Sequence, residues 1–356
     1  MTTAQAYGME NIRSRPDRES VSHKCERSFR PPWFLRNGHV QTLAGMYLYG
    51  SRSASQRGLT VQRTSGRVQL SDGDRLVFQD ECPAGWKPGD RVALFLHGLG
   101  GSHASPHMTR TATRFREQQI RTVRLDWRGC GAGGGLARAP YHSGRSNDLE
   151  ETLQHLQELF PGSPFTVVGF SLGGNILLKW LGEACAETNS PVGVDRAIAV
   201  CPPIDLSLTV DSLTKGWGRL YGDYFCRSIL REVAYRRRRH PDTLIPDGWG
   251  KRLPKTIYEF DDTFTAPICG FQSAQDYYSK SSSGQRLSSI TVPTLIVAAQ
   301  DDPLIPFEQF KTATFSASTT LTAPRHGGHL GFCHWGGHAW LDQRIVEWGT
   351  HTAESA

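Results

Sequence analysis

Gly169-Phe170-Ser171-Leu172-Gly173 places a serine in the pattern G-x-S-x-G, with the apolar run Phe165–Phe170 before it and a helical pattern after it. A serine on such a sharp strand-to-helix turn stands clear of the backbone and can act as a nucleophile. Gly169 and Gly173 remove side chains that would collide at the turn, and the helix N-terminus behind Ser171 favours negative charge. A serine hydroxyl needs a base to take its proton, and the base needs an orienting acid. In this arrangement the chain order is Ser, then Asp or Glu, then His. The acid is expected where the apolar run Thr294–Ala299 ends, at Gln300-Asp301-Asp302-Pro303-Leu304-Ile305-Pro306. Asp302 fits this loop better, and Asp301 stays open as its rival. The base is expected in Arg325-His326-Gly327-Gly328-His329-Leu330-Gly331-Phe332, with His329 favoured and His326 competing. An oxyanion needs two N–H donors. Leu172, next to the serine, supplies one; Leu99, in the loop His97-Gly98-Leu99-Gly100-Gly101 after an apolar run, supplies the other.

Three further clusters invite other chemistry. His326, His329, His334 and His338 lie near one another, but the glycines between them make a regular helix improbable there, so no metal is expected. Gly129-Cys130-Gly131-Ala132-Gly133-Gly134-Gly135 superficially resembles a dinucleotide loop. No sustained apolar helix or acidic ribose reader follows it, so no cofactor is expected and the stretch reads as a flexible loop at a pocket rim. Arg236–Arg239 falls in a helical pattern, Ile229–His240, and reads as a solvated face; contact with anionic lipid head groups is the sharper alternative.

The elements that must position these groups alternate. A hairpin is expected around Asp72-Gly73-Asp74 between Val68 and Asp80. Strands are expected at Arg91–Leu96, Thr122–Trp127, Phe165–Phe170, Arg196–Val200, Thr294–Ala299 and Thr319–Ala323. Helices are expected at Met108–Gln118, Asp148–Phe160, Asn175–Leu181 and Trp340–Trp348. In the second of these, Leu149, Leu153, Leu156, Leu159 and Phe160 share a face and Ser146 is the expected N-cap. Apolar strands between helices imply an α/β fold: a mostly parallel central sheet flanked by helices. Residues 205–285 break the alternation with aromatic and charged residues and are too long for a simple connection, so they are expected to form a helical cap insertion. Residues 1–30 are polar and aperiodic and read as a flexible basic tail; residues 31–356 form the remaining domain.

The chain has 356 residues, 38% hydrophobic and 21% charged, which is enough apolar material for a large core. Eight scattered cysteines without a CxxC pair read as free thiols, and no run suits a signal peptide or spanning helix; a cytoplasmic setting is expected. The net charge of +6 is concentrated at one end: residues 1–70 hold eleven Lys or Arg against four Asp or Glu. The rest is near neutral, which argues against a nucleic-acid partner and leaves open peripheral contact of the arm with an anionic membrane surface. No protein partner is inferred.

Beyond G-x-S-x-G, the chain carries Pro32-Trp33, Gly38-His39-Val40-Gln41-Thr42, Ser105-Pro106, Tyr141-His142-Ser143-Gly144, Asp276-Tyr277-Tyr278 and the two loops holding Asp302 and His329. With these it resembles the α/β-hydrolase superfamily, and within it the YheT-like (AB hydrolase 4) family of serine esterases and lipases. The resemblance implies a serine hydrolase of acyl esters with the triad Ser171, Asp302 and His329. The expected substrate is a small-molecule or lipid ester with a short to medium acyl chain. Two rivals remain: an acyltransferase that uses the same triad with an alcohol acceptor, and a non-catalytic binding protein on the same fold.

Overall fold

The computed structural model describes residues 29–47, 60–188, 193–242, 245–246, 249–250, 252–334 and 339–351. Its strands are β1 (Val61–Gln69), β2 (Arg75–Pro83), β3 (Val92–Leu96), β4 (Arg121–Asp126), β5 (Phe165–Phe170), β6 (Val194–Val200), β7 (Thr294–Val297) and β8 (Thr319–Thr322). They form one sheet in the order β1-β2-β4-β3-β5-β6-β7-β8. β1 and β2 pair antiparallel, as do β2 and β4, and the remaining neighbours run parallel. Every residue of β3 and β5 is buried, as expected for parallel strands covered on both faces.

The helices are α1 (Gly38–Tyr47), α2 (Pro106–Glu117), α3 (Ser146–Leu159), α4 (Leu172–Thr188), α5 (Leu206–Ser212), α6 (Gly218–Arg239), α7 (Ile257–Phe260), α8 (Ala266–Ile268), α9 (Ala274–Ser281), α10 (Glu308–Thr312) and α11 (Ala339–Thr350). Strand alternation sorts the core into two layers. Val92, Leu94 and Leu96 of β3 pack with Leu149 and Leu153 of α3 and Ile176 of α4. Ala93 and Phe95 turn the other way, onto Phe115 of α2 and Leu341 and Ile345 of α11. The chain between β6 and β7 carries α5 to α9 and no strand among its described residues. No described helix is long and apolar enough to cross a membrane, and the seven cysteines among the described residues are free thiols.

Several local expectations shift. The hairpin forms as read, its turn closed by the Leu70 N–H donating to the Asp74 carbonyl at 2.9 Å. Ser146 does not cap α3. It is the helix's first residue, and its hydroxyl donates to Glu183 and accepts from Lys179, so tertiary partners claim it. Leu159 leaves the apolar face of α3 and is 48% exposed. Residues 1–28 of the expected tail lie outside the described residues. Phe29, assigned to that tail, is buried against Phe332 and Trp340, so packing begins before Pro31. The 129–135 loop is not loose: Asp126 accepts from the Ala132 N–H at 2.9 Å, and α6 lies so close that a Cβ on Gly135 would meet Arg239 at 3.2 Å.

Candidate active site

Ser171 sits between β5 and α4 with φ of 51°, in the left-handed region that L-residues rarely adopt. Its N–H donates to the Val200 carbonyl at 2.8 Å, which ties the strained turn to β6. The two motif glycines are steric necessities. A Cβ on Gly169 would lie 2.5 Å from the Gly173 carbonyl oxygen, and one on Gly173 would lie 2.6 Å from the carbonyl oxygens of Leu96 and His97.

His329 Nε2 is 3.0 Å from Ser171 Oγ, and its Nδ1 is 2.8 Å from Asp302 Oδ2. The imidazole is only 7% exposed. The other carboxylate oxygen of Asp302 accepts from the N–H groups of Leu304 and Ile305, at 2.9 and 3.1 Å. Asp302 is therefore held by three nitrogen atoms and cannot rotate freely. The rival residues form a separate pair. Asp301 accepts from the Gly328 N–H at 2.9 Å and faces His326 at 3.4 Å, where burial raises its carboxyl above the usual range. The adjacent aspartates thus serve different histidines, and the one facing Ser171 is held by Asp302.

The loop bearing His329 is fastened by α1. Thr42 Oγ1 accepts from the His329 N–H at 2.8 Å and donates to the Gly38 carbonyl at 2.8 Å. Gln41 donates to the carbonyls of Leu35 and Cys333 and accepts from the Cys333 N–H. The motif Gly38-His39-Val40-Gln41-Thr42 was visible in the sequence, but nothing local shows that it grips a loop almost three hundred residues away. Asn175, one turn after the serine, likewise clamps Ser143, Ser281 and Ser283.

The loop after β3 is equally fixed. His97 is fully buried; its Nδ1 pairs with the Gly98 carbonyl at 2.8 Å and its Nε2 accepts from the Trp127 N–H at 3.2 Å. Desolvation brings its pKa down to about 4, so it is neutral and its two contacts define its tautomer. Tyr141 OH accepts from the Gly100 N–H at 3.0 Å. Leu99 lies between these anchors and lines the same cavity as Ser171 and Leu172. Leu172 is the first residue of α4, so no carbonyl four residues back within the helix takes its N–H.

Cys201, which the sequence does not mark, lies beneath the site in a positive-φ conformation. Ligand atoms of Cys201, Asp302 and His329 fall within 4.8 Å of one another. Burial, and then the Asp302 charge, push the Cys201 thiol well above its usual range, so it stays protonated and points a donor at Asp302. A protonated thiol is not a thiolate ligand. Of the other histidines whose spacing invites a metal, His326 is engaged by Asp301, His334 is exposed, and His338 lies outside the described residues.

Ser171 opens onto a cavity of about 920 Å³, including its mouth, roofed by Phe225 and Ile229 of α6 and walled by Leu206, Val210 and Leu304. Here the reading of Arg236–Arg239 as one solvated face fails. Arg237, Arg238 and Arg239 are exposed, but Arg236 is buried and lines the cavity together with Glu232. Successive helical residues are about 100° apart, so four adjacent arginines cannot share one face.

A mostly parallel sheet carrying a serine on a strained strand-to-helix turn, with histidine and aspartate on later loops, defines an α/β hydrolase. The α/β hydrolase fold family matches residues 92–333, and the chain belongs to it. Among its relatives is the Escherichia coli (strain K12) protein called "Putative esterase YheT", 32% identical over 296 residues that cover 81% of this chain and 85% of that protein. The Saccharomyces cerevisiae "Monoacylglycerol lipase" is 31% identical over 256 residues, 68% of this chain and 54% of the yeast protein. In three dimensions the chain is similar to the Pyrococcus furiosus esterase Pf2001, with a TM-score of 0.54 at 15% identity over 81% of this chain and 91% of that one. The chain is an esterase/lipase-like α/β hydrolase.

Proposed function

We propose that the chain is a serine esterase that cleaves short- to medium-chain carboxylic esters through a covalent acyl-enzyme, with residues 31–356 as the hydrolase domain and 205–285 as its cap. The observation that supports this best is the continuous relay from Asp302 through His329 to Ser171 at the floor of an apolar cavity. With its proton on Nδ1, held by Asp302, His329 leaves Nε2 free to accept from Ser171 Oγ. Oγ attacks the ester carbonyl carbon as Nε2 takes its proton, and Asp302 stabilises the imidazolium. The oxyanion lies between the N–H groups of Leu172 and Leu99. His329 then gives its proton to the leaving alcohol oxygen as the C–O bond breaks, and the acyl group stays on Ser171. A water molecule, deprotonated by the same Nε2, attacks that acyl-enzyme and releases the acid.

The relatives' names, an esterase and a monoacylglycerol lipase, agree with an acyl ester substrate. Peripheral contact with an anionic lipid surface is supported by the outer face of α6. There Trp217, Leu220 and Tyr224 are exposed, and Arg227, Arg231 and Arg238 continue the same side. The direct test of the esterase reading is labelling by a fluorophosphonate together with turnover of a p-nitrophenyl ester chain-length series. Wild type should label and hydrolyse, and Ser171→Ala should do neither. Equal behaviour of the two proteins defeats the proposal.

A further inference from the structure

Arg236 is the one arginine of its run turned inward, and it is 6% exposed. Phe225, Ile229, Glu232 and Arg236 repeat at helical spacing along the face of α6 that lines the cavity above Ser171. A guanidinium has five N–H donors. In Arg236, Nη2 makes one long contact to Glu232 Oε1 at 3.4 Å, and Nη1 is buried with no hydrogen-bond partner among the described residues. Burying an unpaired donor, above all a charged one, is costly unless a ligand completes it.

The other ionisable groups in the lining do not answer this need. Asp261 is occupied, its two oxygens accepting from Thr265 Oγ1 at 2.7 Å and Tyr278 OH at 2.8 Å. Burial raises both Asp261 and Glu232 to about 7, so neither is a full counter-charge at neutral pH. Burial also holds His142 well below its usual range, hence neutral. Among the described residues Arg236 is thus the only permanent cation in a lining that is otherwise mainly apolar.

We infer that Arg236 determines specificity by binding an anionic oxygen group, a carboxylate or a phosphate, carried by the substrate away from its scissile ester. The inference deepens the esterase reading and rests on it only for placing the scissile ester at Ser171. Its test therefore reads binding as well as turnover. In Ser171→Ala protein, monomethyl suberate should bind roughly ten- to a hundredfold more tightly than dimethyl suberate, the gain expected of a buried charge-assisted hydrogen bond. If the anionic group belongs to the alcohol half instead, hexanoyl glycerol 3-phosphate should show that gain over hexanoyl glycerol. Adding Arg236→Met should bring charged and neutral ligands within about threefold, while Arg236→Lys keeps part of the preference. In wild type, p-nitrophenyl half-esters of the series from succinic to sebacic acid should exceed their methyl-capped counterparts in kcat/KM at the fitting length. The inference is overturned if neither anionic ligand is preferred over its neutral partner, which needs no Arg236 variant to fold, or if the preference survives Arg236→Met. Arg236-dependent binding without any ester turnover would defeat the esterase reading and leave Arg236 as the anion-binding group of this cavity.

Discussion

Replacing Asp302 by Asn exchanges one carboxylate oxygen for an NH2 group, and the surroundings dictate which one. Oδ1 accepts from the N–H groups of Leu304 and Ile305, so the amide must keep its oxygen there and turn its NH2 toward His329 Nδ1. Two donors cannot face each other, so His329 must move its proton to Nε2. That nitrogen then cannot accept from Ser171 Oγ, now 3.0 Å away. A wrong tautomer in an intact triad costs about a thousand- to ten-thousandfold in kcat, or about 4 to 5.5 kcal/mol of transition-state stabilisation. Asp301→Asn is the matched control. Its amide oxygen can still accept from the Gly328 N–H, and its partner is His326, so the loss should stay below about tenfold. The assay is kcat with p-nitrophenyl butyrate at neutral pH, with circular dichroism to show that both variants fold. An Asp302→Asn variant within tenfold of wild type, or an Asp301→Asn variant that loses as much, refutes the tautomer argument.

Other variants probe the supporting contacts. Thr42→Val leaves the His329 N–H buried without its acceptor, about 1 to 3 kcal/mol, and should lower kcat roughly tenfold with KM unchanged; Thr42→Ser should restore it, and an unchanged kcat would show that α1 does not position the histidine. Asp261→Asn should change how stability depends on pH. Because its folded pKa is raised to about 7 from 3.8, Asp261 contributes its stability in full below 3.8 and loses it as pH rises through about 7, some 4 kcal/mol in all. The Tm of the variant relative to wild type should therefore rise between pH 5 and pH 8, and a constant difference contradicts the buried acid. Trp217→Glu with Leu220→Glu should abolish flotation with phosphatidylglycerol-containing vesicles while hydrolysis of a soluble ester stays within about threefold; undiminished flotation would assign the contact to another surface.

The elements built from near neighbours could be read directly. An unbroken apolar run such as Phe165–Phe170 commits to a buried strand, and the glycines flanking Ser171 commit to a strand-to-helix turn, because both demands are met within a few residues of chain. The boundaries drift where tertiary partners compete with local ones. Ser146 has a cap residue's chemistry, yet Glu183 and Lys179 take its hydroxyl.

The amino-acid sequence by itself determined the strand–helix alternation, the serine turn and the short list of residues able to serve it, since each depends on local spacing. Only the tertiary structure decided between neighbours on that list. Asp301 and Asp302 are adjacent and chemically identical, and what separates them is the direction in which the loop after β7 aims each carboxylate. Arg236 and Arg237 differ only by their phase on α6, which sends one guanidinium beneath the roof of the cavity and the other into solvent. Thr42 and Cys201 reach the site from distant parts of the chain. Such contacts depend on how separate elements come together in space, and residue type and spacing along one segment do not encode that.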